Sequence, residues 1–218
     1  MIKAIIFDFD YTLSNRGPSI YQGFSYLVNK YFKDLDDIEK EAIIQRMITL
    51  DEFGTISRSH IIDYMKEKYD VDMTIDFNDL SAYMAPFTIL DEDAIKVLDY
   101  LKKNTDYKLA ILTNGNIDTQ RMKLDTVKIS HYFDEMIVSK ESGFNKPDKR
   151  AFEYVANKLD VKCEGCLYVG DVMFNDILGA YHANMQYVLL NNDRKRIYGP
   201  CIKTINHLIE LIDYIKDI

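Results

Sequence analysis

Residues 7–13 read FDFDYTL, in which an apolar run closes on two aspartates separated by a single residue. The segment leading into them, Ile2 to Phe7, is too short for a helix, rich in β-branched residues and interrupted only by Lys3. That pattern predicts a buried strand. Residues i and i+2 of a strand point to one side, so Asp8 and Asp10 come close together if the extended geometry persists. Two carboxylates at such a separation repel unless a cation, a proton or hydrogen bonds compensate. The compensating group must come from elsewhere in the chain.

Beyond about Leu90 the sequence alternates between two periods. A helix over 92–103 precedes the strand KLAILT (108–113), and a helix over 118–127 precedes MIVS (136–139). A helix over 149–159 precedes CLYVG (166–170). A short helix from about Asn175 leads to MQYVLL (185–190), and a last helix covers 207–215. Strands at helix-length intervals predict βαβ units and a parallel sheet. The opening strand belongs to that sheet, since alone it cannot bury itself. Between residues 15 and 87 the apolar spacing is helical throughout, as in Ile20, Phe24, Leu27, Val28 and Tyr31, or Ile61, Tyr64, Met65 and Tyr69. The expectation is an α/β fold with a Rossmann-like parallel sheet core, residues 1–14 and 88–218, interrupted by a helical cap over 15–87.

Bulk composition narrows the function. A chain of 218 residues with 47% hydrophobic content can bury a sizeable core. A formal net charge of −8 disfavours nucleic-acid or membrane partners, which prefer basic surfaces. The N-terminus enters a strand directly, without the basic and apolar regions of a signal peptide, and no run reaches transmembrane length. A cytoplasmic location is therefore expected. Cys163, Cys166 and Cys201 form an odd set, and the single CxxC has no companion pair, so they are read as plain thiols. None of the four histidines has ligand spacing with another.

Ligands of open parallel sheets bind beyond the carboxyl ends of the strands. The first strand delivers Asp8 and Asp10 there, and the second delivers Thr113, Asn114 and Gly115. The third is followed by SGFNKPD with Lys146, and the fourth by GDVMFND with Asp171 and Asp176. Four acids, a hydroxyl, an amide and one ammonium suit a divalent cation and a phosphoryl group together. Hard oxygen ligands favour Mg²⁺, which keeps positions open for water and substrate phosphate.

With DFDYT (8–12), Thr113, Lys146 before Pro147-Asp148, and GDVMFND (170–176) in this order, the chain resembles the haloacid dehalogenase-like (HAD) hydrolase superfamily. The resemblance is to the subgroup with a helical cap inserted after the first motif, and it covers essentially the whole chain. It implies an Mg²⁺-dependent phosphatase acting on a small phosphomonoester. Asp8 would be the nucleophile that forms an aspartyl-phosphate, and Asp10 the general acid and then base. Asp8, the Asp10 backbone carbonyl and Asp171 would hold the metal. Thr113, the Asn114 amide and Lys146 would bind phosphate oxygens, with Asp176 in support. Phosphomutase and 2-haloacid dehalogenase are alternatives within the superfamily, and a binding protein without turnover is one outside catalysis. Retention of Asp10 favours a phosphate ester, because a halide leaves without a proton. The pattern departs at Tyr11, where glycine is common, and at Val172, where a small hydroxyl residue is common. The stretches LTNGNIDTQRMKL (112–124) and SGFNKPDKRAF (142–152) resemble nucleotidases and sugar-phosphate phosphatases, so a pyrimidine nucleoside monophosphate is the substrate expected first, with phosphoglycolate and sugar phosphates as the other candidates. Arg58 and Lys66 in the helical segment are read as solvated charges within possible reach of a substrate.

Overall fold

The apolar AIIF segment forms strand β1 (Ala4–Phe7), with all four residues buried. The computed structural model describes residues 1–54, 59–191 and 196–217, so Arg58 lies outside the described residues. After β1 come β2 (Ser14–Asn15) and four helices, α1 (Gly17–Tyr31), α2 (Asp37–Leu50), α3 (Ser59–Tyr69) and α4 (Thr74–Met84). The chain then returns through β3 (Ile89–Leu90), which pairs antiparallel with β2. The remainder runs α5 (Ala94–Asn104), β4 (Lys108–Thr113), α6 (Ile117–Val127), β5 (Glu135–Val138), α7 (Lys149–Lys158) and β6 (Cys166–Gly170). It finishes with α8 (Leu178–His182), β7 (Gln186–Leu190), β8 (Thr204–Ile205) and α9 (Leu211–Lys216).

Six strands build one parallel sheet in the order β5-β4-β1-β6-β7-β8. Alternation along each strand divides the core between its two faces. Ile5, Phe7, Leu109, Ile111, Leu167 and Val169 pack on one side with Val97, Leu98 and Leu101 of α5 and Leu211 of α9. Ala4, Ile6, Ala110, Leu112 and Tyr168 pack on the other with Phe152 and Val155 of α7 and Ala180 of α8. Both faces are covered, which explains why β1 reads as continuous apolar sequence rather than alternating.

The differences from the sequence reading are local. β1 starts at Ala4, two residues later than expected, and the two-residue strands β2, β3 and β8 carry too short a pattern to be read. The short helix expected from about Asn175 opens earlier, within GDVMFND, as a π-helical turn over Met173–Ile177 before α8 begins.

Met1–Asn15 and Ile89–Ile218 form one compact unit, and Arg16–Thr88 forms a second. The second unit has its own core, in which Phe24, Leu27 and Val28 of α1 meet Ile43, Ile44 and Met47 of α2 and Ile61 and Met65 of α3. A capping box starts α2: Asp36 accepts from the Glu39 amide at 2.8 Å, and Glu39 accepts from the Asp36 amide at 3.1 Å. Within the same unit, buried Arg16 pairs with buried Asp51 at 2.6 Å. Among the described residues, no helix is long and apolar enough to cross a membrane.

Candidate active site

Strand β1 lies between β4 and β6, with Phe7 level with Ile111 and Val169. Chain order reverses across the sheet here, the point at which open parallel sheets bind their ligands beyond the strand ends. Asp8 follows β1 directly and is held by its amide, which donates to Val169 O at 2.8 Å. Thr113 ends β4, and Asp171 follows β6. The π-helical turn brings Asp176 back to the same place, where its carboxylate accepts from the Val172 amide at 2.9 Å. Asp8, Asp171 and Asp176 are all buried, each with a carboxylate oxygen within 4.8 Å of the others. Gly170 makes room for the turn: a Cβ there would lie 2.6 Å from Asp176 Cγ.

Lys146 enters this acidic cluster. Its Nζ donates to Asp8 Oδ1 and Asp176 Oδ1 at 2.6 Å each, and to Tyr168 Oη at 2.9 Å. Burial pushes the Asp8 carboxyl up to about 7, with Lys146 opposing that rise and Asp176 adding to it. Burial disfavours the Lys146 charge too, but Asp176 and Asp8 outweigh it and hold the ammonium well above its usual range. The lysine therefore carries its charge at neutral pH. The loop carrying it is fixed by Asn114, whose side chain accepts from the Lys146 amide at 2.9 Å and donates to Lys146 O at 3.0 Å. Ser139 Oγ donates to the same Asn114 Oδ1 at 2.6 Å. Buried Thr113 sits beside them at the end of β4.

Asp10 has a separate environment. The extended backbone does not persist: Tyr11 adopts φ +63°, and the amides of Thr12, Leu13 and Ser14 turn back onto Phe9 O at 3.3, 3.0 and 2.9 Å. A left-handed conformation costs a residue with a Cβ about 1 kcal/mol, which gives a physical reason for glycine at this position in resembling sequences. The turn brings the Asp10 carboxylate to Lys123, whose Nζ donates to both oxygens at 2.8 Å, and to Gln120 Nε2 at 2.9 Å. The repulsion posed by FDFDYTL is thus answered twice, since each aspartate has its own ammonium. Asp10 is the weakest of the influences that raise Asp8.

The sequence reading missed Lys123, Gln120 and Tyr168. The signal for the first two was available, because positions 120 and 123 share a helix face with Leu124, and all three are buried. Tyr168 is a hydroxyl-bearing residue within an otherwise apolar, fully buried strand. Lys66 pairs with Asp72 at 3.9 Å, and both are largely exposed. Burial pushes the Cys166 thiol up to about 12, so it stays protonated and weakly nucleophilic at neutral pH.

A Rossmann-like α/β fold with a carboxylate–lysine centre at its switch point defines the class. The chain belongs to the haloacid dehalogenase-like hydrolase family, whose model matches residues 5–190. The glyceraldehyde 3-phosphate phosphatase of Methanocaldococcus jannaschii is 29% identical over 237 aligned positions, covering 100% of this chain and 99% of that protein. The protein of that name from Methanothermobacter thermautotrophicus is 38% identical over 91 residues, 42% of this chain and 40% of its own length. In fold, the chain is similar to the putative HAD-hydrolase YfnB from Bacillus subtilis, bound to magnesium. The TM-score is 0.76 at 23% identity, over 98% of both chains.

Proposed function

We propose that this protein is an Mg²⁺-dependent phosphomonoester hydrolase that turns over a small sugar phosphate through an aspartyl-phosphate on Asp8. The observation that carries this reading is the position of Lys146 Nζ, 2.6 Å from both Asp8 and Asp176 within a cluster that also includes Asp171. Three buried carboxylates against one ammonium leave excess negative charge, and hard oxygen donors of this kind fit a divalent cation. Asp8, the Asp10 backbone carbonyl and Asp171 would hold Mg²⁺, with Asp176 in support. When bound, Mg²⁺ supplies charge neutralisation that lets an anionic nucleophile meet an anionic ester.

The chain's own residues divide the remaining work. Lys146, Thr113 and the Asn114 amide bind the non-bridging phosphoryl oxygens, where charge must be stabilised in the transition state. A carboxylate oxygen of Asp8 attacks phosphorus as the ester P–O bond breaks, and Asp10 gives its proton to the departing alkoxide. Asp10 then takes a proton from water as that water attacks phosphorus. Inorganic phosphate leaves, and Asp8 is restored as a carboxylate. The Arg16–Thr88 unit, inserted between β2 and β3, acts in this reading as a cap domain that selects the substrate. Sugar phosphates, rather than the pyrimidine nucleotide expected first from the sequence, are favoured because similar proteins are named for a triose phosphate.

A panel of phosphomonoesters tests the reading. Triose and hexose phosphates, nucleoside monophosphates and p-nitrophenyl phosphate are assayed with Mg²⁺ and with EDTA, beside a 2-haloacid. The expected result is Mg²⁺-dependent phosphate release, highest in kcat/KM for a sugar phosphate, with no halide release. Equal rates in EDTA would remove the metal, and a nucleotide optimum would move the substrate class.

A further inference from the structure

We propose that Lys123 and Gln120 are positioning residues that fix the Asp10 carboxylate for proton transfer, an inference that rests on the role given to Asp10 above. An acid or base must lie within hydrogen-bond reach of the atom it serves, so a freely rotating carboxylate spends most of its time misplaced. Asp10 does not rotate freely. Lys123 Nζ spans both of its oxygens at 2.8 Å, and Gln120 Nε2 grips Oδ2 at 2.9 Å. The side chain of Lys123 is 9% exposed against 23% for Asp10, so the ammonium is the more enclosed of the two.

The clamp is built into α6. Asn116 caps the helix by accepting from the Thr119 amide at 3.1 Å, which sets the phase that turns residues 120 and 123 toward Asp10. Gln120 Nε2 also donates to Asn114 O at 2.8 Å. Gly115, at φ +142°, leaves the space for it, since a Cβ there would approach Gln120 Nε2 to 2.8 Å. Asn114 in turn holds the backbone of Lys146. One connected set of hydrogen bonds therefore ties Asp10 to the loop that carries Lys146. A burial penalty falls on any enclosed ammonium, and here it is offset by a single carboxylate at the reacting centre.

The test compares an alkyl phosphate, whose alkoxide needs a proton to leave, with p-nitrophenyl phosphate, whose phenoxide needs it far less. Lys123→Met should lower kcat/KM, which reads only the steps up to departure of the alcohol, about 100-fold on the alkyl ester and about tenfold or less on the aryl ester. Lys123→Arg should recover most of the loss. Gln120→Met carries the same comparison should Lys123→Met fail to fold. Equal losses of kcat/KM on both esters, or no loss on either, would overturn the proposal. Asp10→Asn is run beside them. If it retains the alkyl-biased loss while the clamp variants do not, the role of Asp10 stands and the clamp falls. If Asp10→Asn itself loses kcat/KM equally on both esters, the acid role of Asp10 fails and takes the clamp with it.

Discussion

Asp8→Asn should leave a folded protein whose kcat has dropped by roughly 10⁴-fold or more, the scale on which removing a covalent nucleophile acts. The substitution keeps the shape of the side chain and an acceptor for Lys146, which also retains Asp176 at 2.6 Å. Stability should not suffer. The Asp8 carboxyl is raised to about 7 in the fold, against 3.8 ordinarily, so the folded chain binds its proton more tightly than the unfolded one. A raised acid stabilises the fold at low pH, and that contribution is lost as pH rises through about 7. Above that pH the ionised Asp8 is held at a cost that a neutral amide does not bear. Melting in the presence of chelator at pH 8 should place the variant at or above the parent protein. An unfolded variant, or one with appreciable turnover, would move the nucleophile elsewhere.

Lys146→Met should be damaging in a different way, losing both activity and stability. The variant leaves Asp8, Asp171 and Asp176 buried together with no ammonium among them. Breaking a buried pair by removing one partner costs about 3–5 kcal/mol, because the remaining charge is uncompensated. Lysine is what pulls the Asp8 carboxyl down against burial, so without it that carboxyl rises further. The sign of the pH dependence follows. Protonation relieves the cluster at low pH, and the penalty grows as pH rises through the raised Asp8 value. In chelator, the variant should therefore melt close to the parent near pH 5 and well below it near pH 8. Activity should fall about 10³-fold, on the scale of losing a preorganised charge at the phosphoryl oxygens. A penalty independent of pH would contradict the shared-cluster account.

Much of this site could be read from the chain because strand ends are legible. KLAILT and CLYVG coincide with β4 and β6, residue for residue, and each ends where a chemically distinctive residue begins. A parallel sheet then does the rest, since level strand ends bring Asp8, Thr113 and Asp171 to one edge from distant parts of the sequence. What could not be read depends on direction rather than type. Which ammonium each aspartate meets turns on the φ of Tyr11, and a tyrosine gives no warning of a left-handed turn. Gln120 and Lys123 share a helix face with apolar Leu124, which marks them as inward-facing, but that spacing does not say that Asp10 is what they meet. Tyr168 looks like core until its hydroxyl is seen against Lys146 Nζ. Strands of two residues, such as β8, have no periodicity to detect.

The central claim is that phosphate passes through Asp8, and trapping the intermediate tests it most directly. Enzyme turning over its best phosphomonoester with Mg²⁺ is quenched, reduced with borohydride and digested for peptide mass spectrometry. An acyl phosphate is reduced to the alcohol, so the account predicts homoserine in place of Asp8 and in place of no other aspartate. Homoserine at another position, or none while phosphate is being released, would contradict it.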